Sequence, residues 1–178
     1  MKSLVWLVSL AISPILAEIG NAQEEMIRHW VEKAEAASTV GDMLAVSRQV
    51  LALDAPAVNT FISRASRSAV QNGKCVAAMA FSGVTSVRKL ESEFTLLIND
   101  DAREVRQLTW LSVKWEVLPK ATRALGLESE DPIIRVAGVL NSSGKADVSS
   151  SCFDPHPLVR ARNVSMTSGP LPVEISEP

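Results

Sequence analysis

Residues that carry much of protein chemistry are scarce in this chain. Its 178 residues include two histidines, His29 and His156, and two cysteines, Cys75 and Cys152. Four such residues at these separations match no compact zinc motif, which needs closely spaced ligand pairs. Cys152 and His156 are near in sequence, but no third residue is in place to orient them as a nucleophile and base. No glycine-rich loop is present to cradle a phosphate, and no serine stands in a nucleophile elbow; Gly73 and Gly83 read as helix breakers. Positive charge is also in short supply. Eighteen Lys and Arg against twenty Asp and Glu give a net charge of −2, which argues against a general nucleic-acid-binding surface. The acid pairs at Asp100-Asp101 and along Glu128, Glu130 and Asp131 lack the spacing of a calcium loop or a glycosidase carboxylate pair and read as helix caps. No catalytic constellation, metal or cofactor is therefore expected. The enzymatic alternative is a small helical hydrolase using Glu91, Glu93 or Asp101 in a cleft.

Long apolar runs are missing too, with one informative exception. Ser3 to Ala17 is apolar for 15 residues after Lys2 and is halted by Glu18. A comfortable transmembrane helix needs about 20 residues. A basic start, a short apolar core and small residues at Gly20 and Ala22 have the form of an export signal cleaved after Ala22. A retained anchor is the alternative. The expected organisation is a signal peptide over 1–22, a helical domain over 23–166 and a Pro-rich tail over 167–178, with the mature chain periplasmic or secreted and not stably inserted in a membrane. Removing 22 of 178 residues leaves 156, enough for a domain with its own core. In an oxidising compartment Cys75 and Cys152 are a candidate disulfide, stabilising by about 4 kcal/mol in the chain-entropy model; two separate thiols are the alternative.

No stretch alternates apolar and polar residues as a half-buried strand would. Helical spacing instead runs through 24–38, 42–53, 56–70, 85–98, 102–113, 116–125, 132–140 and 156–166. The apolar segment Cys75–Phe81 is rich in alanine and reads as a further, buried helix. Gln71-Asn72-Gly73 reads as a stop signal and Gly126 as a C-cap. Residues 141–151, NSSGKADVSSS, read as a loop.

Several helices begin alike. DDAREVR at 100–106, EDPIIR at 130–135 and DPHPLVR at 154–160 each place an acid, a turn or first-turn residue, and an apolar residue directly before arginine. LDAPAVN at 53–59 is a weaker version without the arginine. The acid suits the free N–H groups and positive end of a helix start. The pattern resembles a HEAT-type helical repeat, with matched acids Asp101, Asp131 and Asp154 and matched arginines Arg106, Arg135 and Arg160. The resemblance covers roughly residues 85–166 and implies an all-α fold for the domain over 23–166: an irregular, right-handed stack of about seven to eight helices. An irregular helical bundle is the competing architecture.

Aromatic and arginine residues are common interface anchors. Trp110 and Trp115 flank a helix junction, and with Arg103, Arg106 and Lys114 they form the candidate binding surface; ordinary inter-helix core is the alternative for both indoles. His29, His156 and the Arg160–Arg162 pair read as surface. Asn141-Ser142-Ser143 and Asn163-Val164-Ser165 match the N-glycosylation pattern. The function these features favour is an exported, non-catalytic interaction or scaffold protein whose partner is another protein, or an accessory subunit of an exported complex. If the leader is processed as expected, intact-mass measurement of the exported protein gives a chain beginning at Gln23.

Overall fold

In the computed structural model, residues 3–141 and 153–166 are described, with side chains described for 20–140 and 153–161. Among them every regular element is helical. The helices are α1 (Ser3–Ala36), α2 (Val40–Leu51), α3 (Ala55–Ala65), α4 (Gln71–Ala80), α5 (Glu91–Ile98), α6 (Arg103–Ser112), α7 (Lys120–Leu127), α8 (Pro132–Asn141) and α9 (Pro157–Met166). Short 3-10 turns occupy Phe81–Gly83, Val87–Leu90 and Trp115–Val117. No described helix is long and apolar enough to cross a membrane. The chain divides into two compact units, Met1–Gly83 and Val84–Pro178.

The first unit is organised around α4. Seven of its ten residues are buried, from Gly73 through Ala80 with only Lys74 excepted, and α1, α2 and α3 all pack against it. An alanine-rich helix suits this position because small side chains let three neighbours approach a single axis. Ile27, Ala34, Val50, Phe61 and Ile62 close around it, each essentially without solvent exposure. Polar side chains fix the helix ends. Thr39 and Asp42 form a reciprocal capping box at the start of α2, with Thr39 Oγ1 accepting from the Asp42 N–H at 3.1 Å and Asp42 Oδ2 accepting from the Thr39 N–H at 3.0 Å. The Thr39 hydroxyl also donates to Asp42 Oδ2 at 2.8 Å, and this bond, followed by the one from the Thr39 N–H, holds the Asp42 carboxyl below its usual range. Asp54 caps α3 by accepting from the Ala57 N–H at 2.8 Å, with Pro56 in the first turn.

Gln71-Asn72-Gly73 opens α4 and does not end α3, which stops at Ala65. Asn72 Nδ2 donates to the Ala37 carbonyl at 2.6 Å, just past the end of α1. A Cβ at Gly73 would stand 3.0 Å from Ser68 and 3.2 Å from Glu35. Those two residues are joined by a 2.6 Å bond from Ser68 Oγ to Glu35 Oε1. The glycine is there for close approach, since no described residue has positive φ.

Cys75 lies in this core, 4% exposed, as a thiol and not as half of a disulfide. The expected Cys75–Cys152 bridge is therefore corrected. All-round packing of α4 encloses the sulfur, and Cys152 lies outside the described residues. Asn141 ends α8; the rest of the loop expected over 141–151, the tail expected over 167–178 and the side chains of both glycosylation patterns lie outside the described residues too.

The second unit packs α5 on α6, α6 and α7 on α8, and α8 on α9. Its core is aromatic. Phe94 meets Trp110 edge-to-face at 5.6 Å, and Trp110 meets Trp115 at 5.6 Å with a 47° tilt. Such contacts contribute beyond the apolar area they bury. Gly126 and Gly138 make room for the indoles. A Cβ at Gly126 would lie 2.8 Å from both Trp110 and Trp115, and one at Gly138 2.6 Å from Trp115 and 2.8 Å from Leu127. Gly126 thus sits inside α7 to admit the rings; the helix runs past it to Leu127. Beyond these residues Val139 and Val159 join α8 to α9 with Val136 packed against them. Gly138→Ala is expected to destabilise the protein by about 1–3 kcal/mol through overpacking. Gly41→Ala, whose new methyl group meets nothing closer than 3.6 Å, is expected to be neutral or slightly stabilising; thermal melting of the two variants distinguishes them.

Candidate functional site

The three arginines of the repeated helix starts make the same contact. Arg106 Nη1 donates to the carbonyls of Asp100 (2.6 Å) and Asp101 (2.9 Å). Arg135 Nη1 donates to those of Ser129 (2.6 Å) and Glu130 (3.0 Å). Arg160 Nη1 donates to those of Asp154 (2.7 Å) and Pro155 (2.9 Å). In each case the side chain reaches back from the helix and clasps the carbonyls six and five positions earlier. The residue at minus six also closes its own turn. Asp100 Oδ1 accepts from the Ala102 N–H at 2.9 Å, Ser129 Oγ from the Asp131 N–H at 3.2 Å, and Asp154 Oδ1 from the His156 N–H at 2.8 Å. The capping series is thus Asp100, Ser129 and Asp154. The acids matched in sequence, Asp101 and Asp131, are out of register by one and two positions. A constant Asp-or-Ser to Arg separation of six was the signal available. Asp54 lacks this arrangement because no arginine follows it in that position.

Two carboxylates link successive helix starts. Asp131 accepts from Arg103 Nε at 2.7 Å, from Gln107 Nε2 at 2.9 Å and from the Ile133 N–H at 2.9 Å. Asp154 takes a bidentate pair from Arg135, Nε to Oδ2 at 2.7 Å and Nη2 to Oδ1 at 3.0 Å. The Arg135 and Asp154 side chains are 13% and 9% exposed. Hydrogen bonds from arginine are the main reason both carboxyls titrate below their usual range, Arg103 acting on Asp131, where the shift is large, and Arg135 on Asp154. Bidentate guanidinium–carboxylate pairing of this kind is both strong and directional.

Next to this ladder the second unit carries two adjoining hollows of about 500 and 560 Å³. They share Ile98, Asn99 and Leu125. The first has an apolar lining that includes Phe94, Val117 and Pro119, with Arg88 and Glu91 at its edge. The second is bordered by Arg103, Arg106, Trp110, Glu130 and Asp131. Leu125, 61% exposed, stands between them. Hollows of this volume are in the range of ligand and peptide sites.

Of the five residues singled out in sequence, three border the second hollow: Arg103, Arg106 and Trp110. Lys114 is exposed and Trp115 is fully buried, and neither borders it. Neither indole is an exposed anchor, since Trp110 is only 3% accessible. The buried face of α6 runs through Val105, Thr109 and Trp110, leaving Leu111 outside. Thr109 tolerates burial because its hydroxyl donates to the Val105 carbonyl at 2.7 Å. Sequence reasoning missed Leu125 and Ile98, which looked like core positions in regular helical stripes.

Among the acids proposed for catalysis, Glu93 is buried and accepts from Ser92 Oγ at 2.7 Å, while Glu91 and Asp101 are exposed. No group of three or more His, Cys, Asp or Glu side chains among the described residues is placed to hold a metal ion. His29 is exposed and packs edge-on against Trp30 at 5.5 Å. His156 Nδ1 accepts from the Leu158 N–H at 3.3 Å, within the α9 start. No protein-family model, curated protein or solved structure matches the chain.

Because Asp131 and Asp154 titrate lower in the folded protein than in the unfolded chain, the stability they provide is present above the ordinary aspartate pKa of about 3.9 and is lost as pH falls below it. Arg135→Met is expected to cost about 3 kcal/mol at neutral pH, since it strands a buried carboxylate and two carbonyls. It should also flatten the acid limb of the stability profile, as read by denaturant unfolding between pH 2 and 7.

Proposed function

We propose that this chain is an exported, non-catalytic interaction or scaffold protein, and that the paired hollows of the second unit receive a segment of another protein. The observation that carries this reading is the contiguous trough around Leu125. An exposed leucine lies between an apolar hollow and one edged by Arg103 and Arg106. Interfaces are typically built this way, with an apolar centre and a polar rim in which arginine is enriched. The rigid scaffold around it suits recognition, because an aromatic core and a ladder of arginine bonds hold the flanking helices.

The HEAT-type reading of the second unit belongs to the same proposal. It is supported by three arginine clasps at corresponding helix starts, 29 and 25 residues apart. Stacked repeats of this kind present extended binding surfaces. Export is supported by the leader-like composition of residues 1–22 and by the exposure of Gly20, Asn21 and Ala22, which precede Ile27, the first fully buried position of α1. A peptidase would meet that stretch ahead of the packed core.

The test is chemical crosslinking in the producing cell followed by identification of the captured protein. Leu125→Glu is expected to lower capture of a specific partner tenfold or more without shifting the melting temperature, as loss of a central apolar anchor does. Val70→Glu, at an exposed apolar position of the first unit, is expected to leave capture unchanged. Equal capture by both variants, or turnover of a substrate by the purified chain, would overturn the reading.

A further inference from the structure

The clasped arginines differ in what their second edge meets. Arg135 uses Nη1 to hold its own turn and gives its Nε–Nη2 edge to Asp154, the residue that caps the next helix start. Arg106 makes the same Nη1 clasp. For Arg106, however, the residue that caps the next helix start is Ser129, whose hydroxyl accepts from the Asp131 N–H. Serine in that place offers no carboxylate. Asp131, two positions on, is already engaged by Arg103, Gln107 and the Ile133 N–H. The Nε–Nη2 edge of Arg106 thus meets no carboxylate among the described residues. Arg106 and Ser129 both border the second hollow, so the guanidinium and the place its acid would occupy lie beside the same opening.

We propose that the second hollow binds the carboxylate of an aspartate or glutamate side chain on a segment of another protein, with Arg106 as its partner. This rests on the trough reading above and adds the chemistry of the occupant. Charge complementarity selects an acid. The Arg103 guanidinium is matched by Asp131, whereas that of Arg106 is matched only by carbonyl oxygens. The clasp also holds the Arg106 fork in place, so little orientational freedom is lost when a carboxylate docks. A side-chain carboxylate is the form the molecule itself uses in the corresponding place, as Asp154 does on Arg135. Trp110, Pro132 and Ile134 border the same hollow, and Ile98 and Leu125 lead from it into the apolar one. The occupant is therefore an acidic residue with an aliphatic neighbour, the acid on Arg106 and the aliphatic side chain beside Leu125.

Selection from a library of random peptides fused through their C-termini, with the purified full chain as bait, tests this. Enriched sequences are expected to share an Asp or Glu beside an aliphatic residue. A synthetic, C-terminally amidated peptide of that sequence should lose about tenfold in affinity when its acid is changed to the amide, the scale of a charge-assisted bidentate pair. Ser129→Asp supplies the acid from within, and aspartate already caps the equivalent turns at Asp100 and Asp154. It is expected to raise the melting temperature and weaken the same peptide about tenfold. Glu130→Gln removes a like charge from the border and should tighten binding about threefold, while Lys114→Gln leaves it unchanged. Enrichment without an acid, or an undiminished affinity in Ser129→Asp, overturns the inference; if Leu125→Glu still abolishes peptide binding, the trough reading stands without it. Enriched peptides indifferent to Leu125→Glu, or no enrichment at all, overturn both.

Discussion

The guanidinium clasp on backbone carbonyls is the constraint on which the second helical unit depends. A turn that precedes a helix exposes carbonyls with no partner in the ladder of either neighbouring helix. Arg106, Arg135 and Arg160 each satisfy two such groups with one nitrogen. In doing so they fix the angle at which each helix leaves its turn. The remaining edge of Arg135 then reaches the next helix start, so local turn geometry and helix-to-helix spacing are set by the same side chain. Arg103 and Gln107 do the equivalent work at Asp131. A lysine offers no rigid fork and would provide only one of these functions at a time.

The first unit solves its packing differently. Its central helix carries alanine and valine on most sides, and specificity comes from polar contacts at the periphery. The Thr39–Asp42 box, the Asp54 cap and the Asn72 bond to Ala37 are all local to helix ends. Arg64 reaches Glu24 and ties α3 to α1 just past that helix's midpoint. Lys33 lies over the Trp30 ring, which is only half-buried. Burial supplies the stability of this unit and end-capping supplies its register.

How far the fold could be read in advance depended on the kind of signal. Helices announced by a stripe of Val, Leu and Phe appear with their ends displaced by a few residues. The alanine-rich α4 is a helix as its composition suggests. Glycine was the least legible residue: Gly73 and Gly126 read as terminators, yet both lie within helices where a neighbouring side chain needs the space. That need arises between residues far apart in sequence and leaves no local trace. The same holds for Leu125 and Trp110. Leu125 closes a helical stripe and is exposed; Trp110, placed in the candidate binding surface, is buried, because a large indole gains more from burial than Leu111 beside it. Arginine periodicity is visible in the sequence, whereas the carbonyl oxygens that each guanidinium clasps come within reach only in the folded turn. Arg103 and Arg106 do border a hollow, whereas Lys114 lies apart from it.

The Trp115 indole rests against two glycines from different helices, Gly126 on α7 and Gly138 on α8, with Trp110 completing its enclosure. These positions cannot drift separately. A methyl group at 126 or 138 is admissible only after the ring at 115 has been replaced by something narrower, and a narrower side chain leaves a void until those methyl groups arrive. Any lineage that exchanges the tryptophan must therefore pass through a less stable intermediate or change several positions together, so variation among descendants of this chain should come in linked sets at 115, 126 and 138.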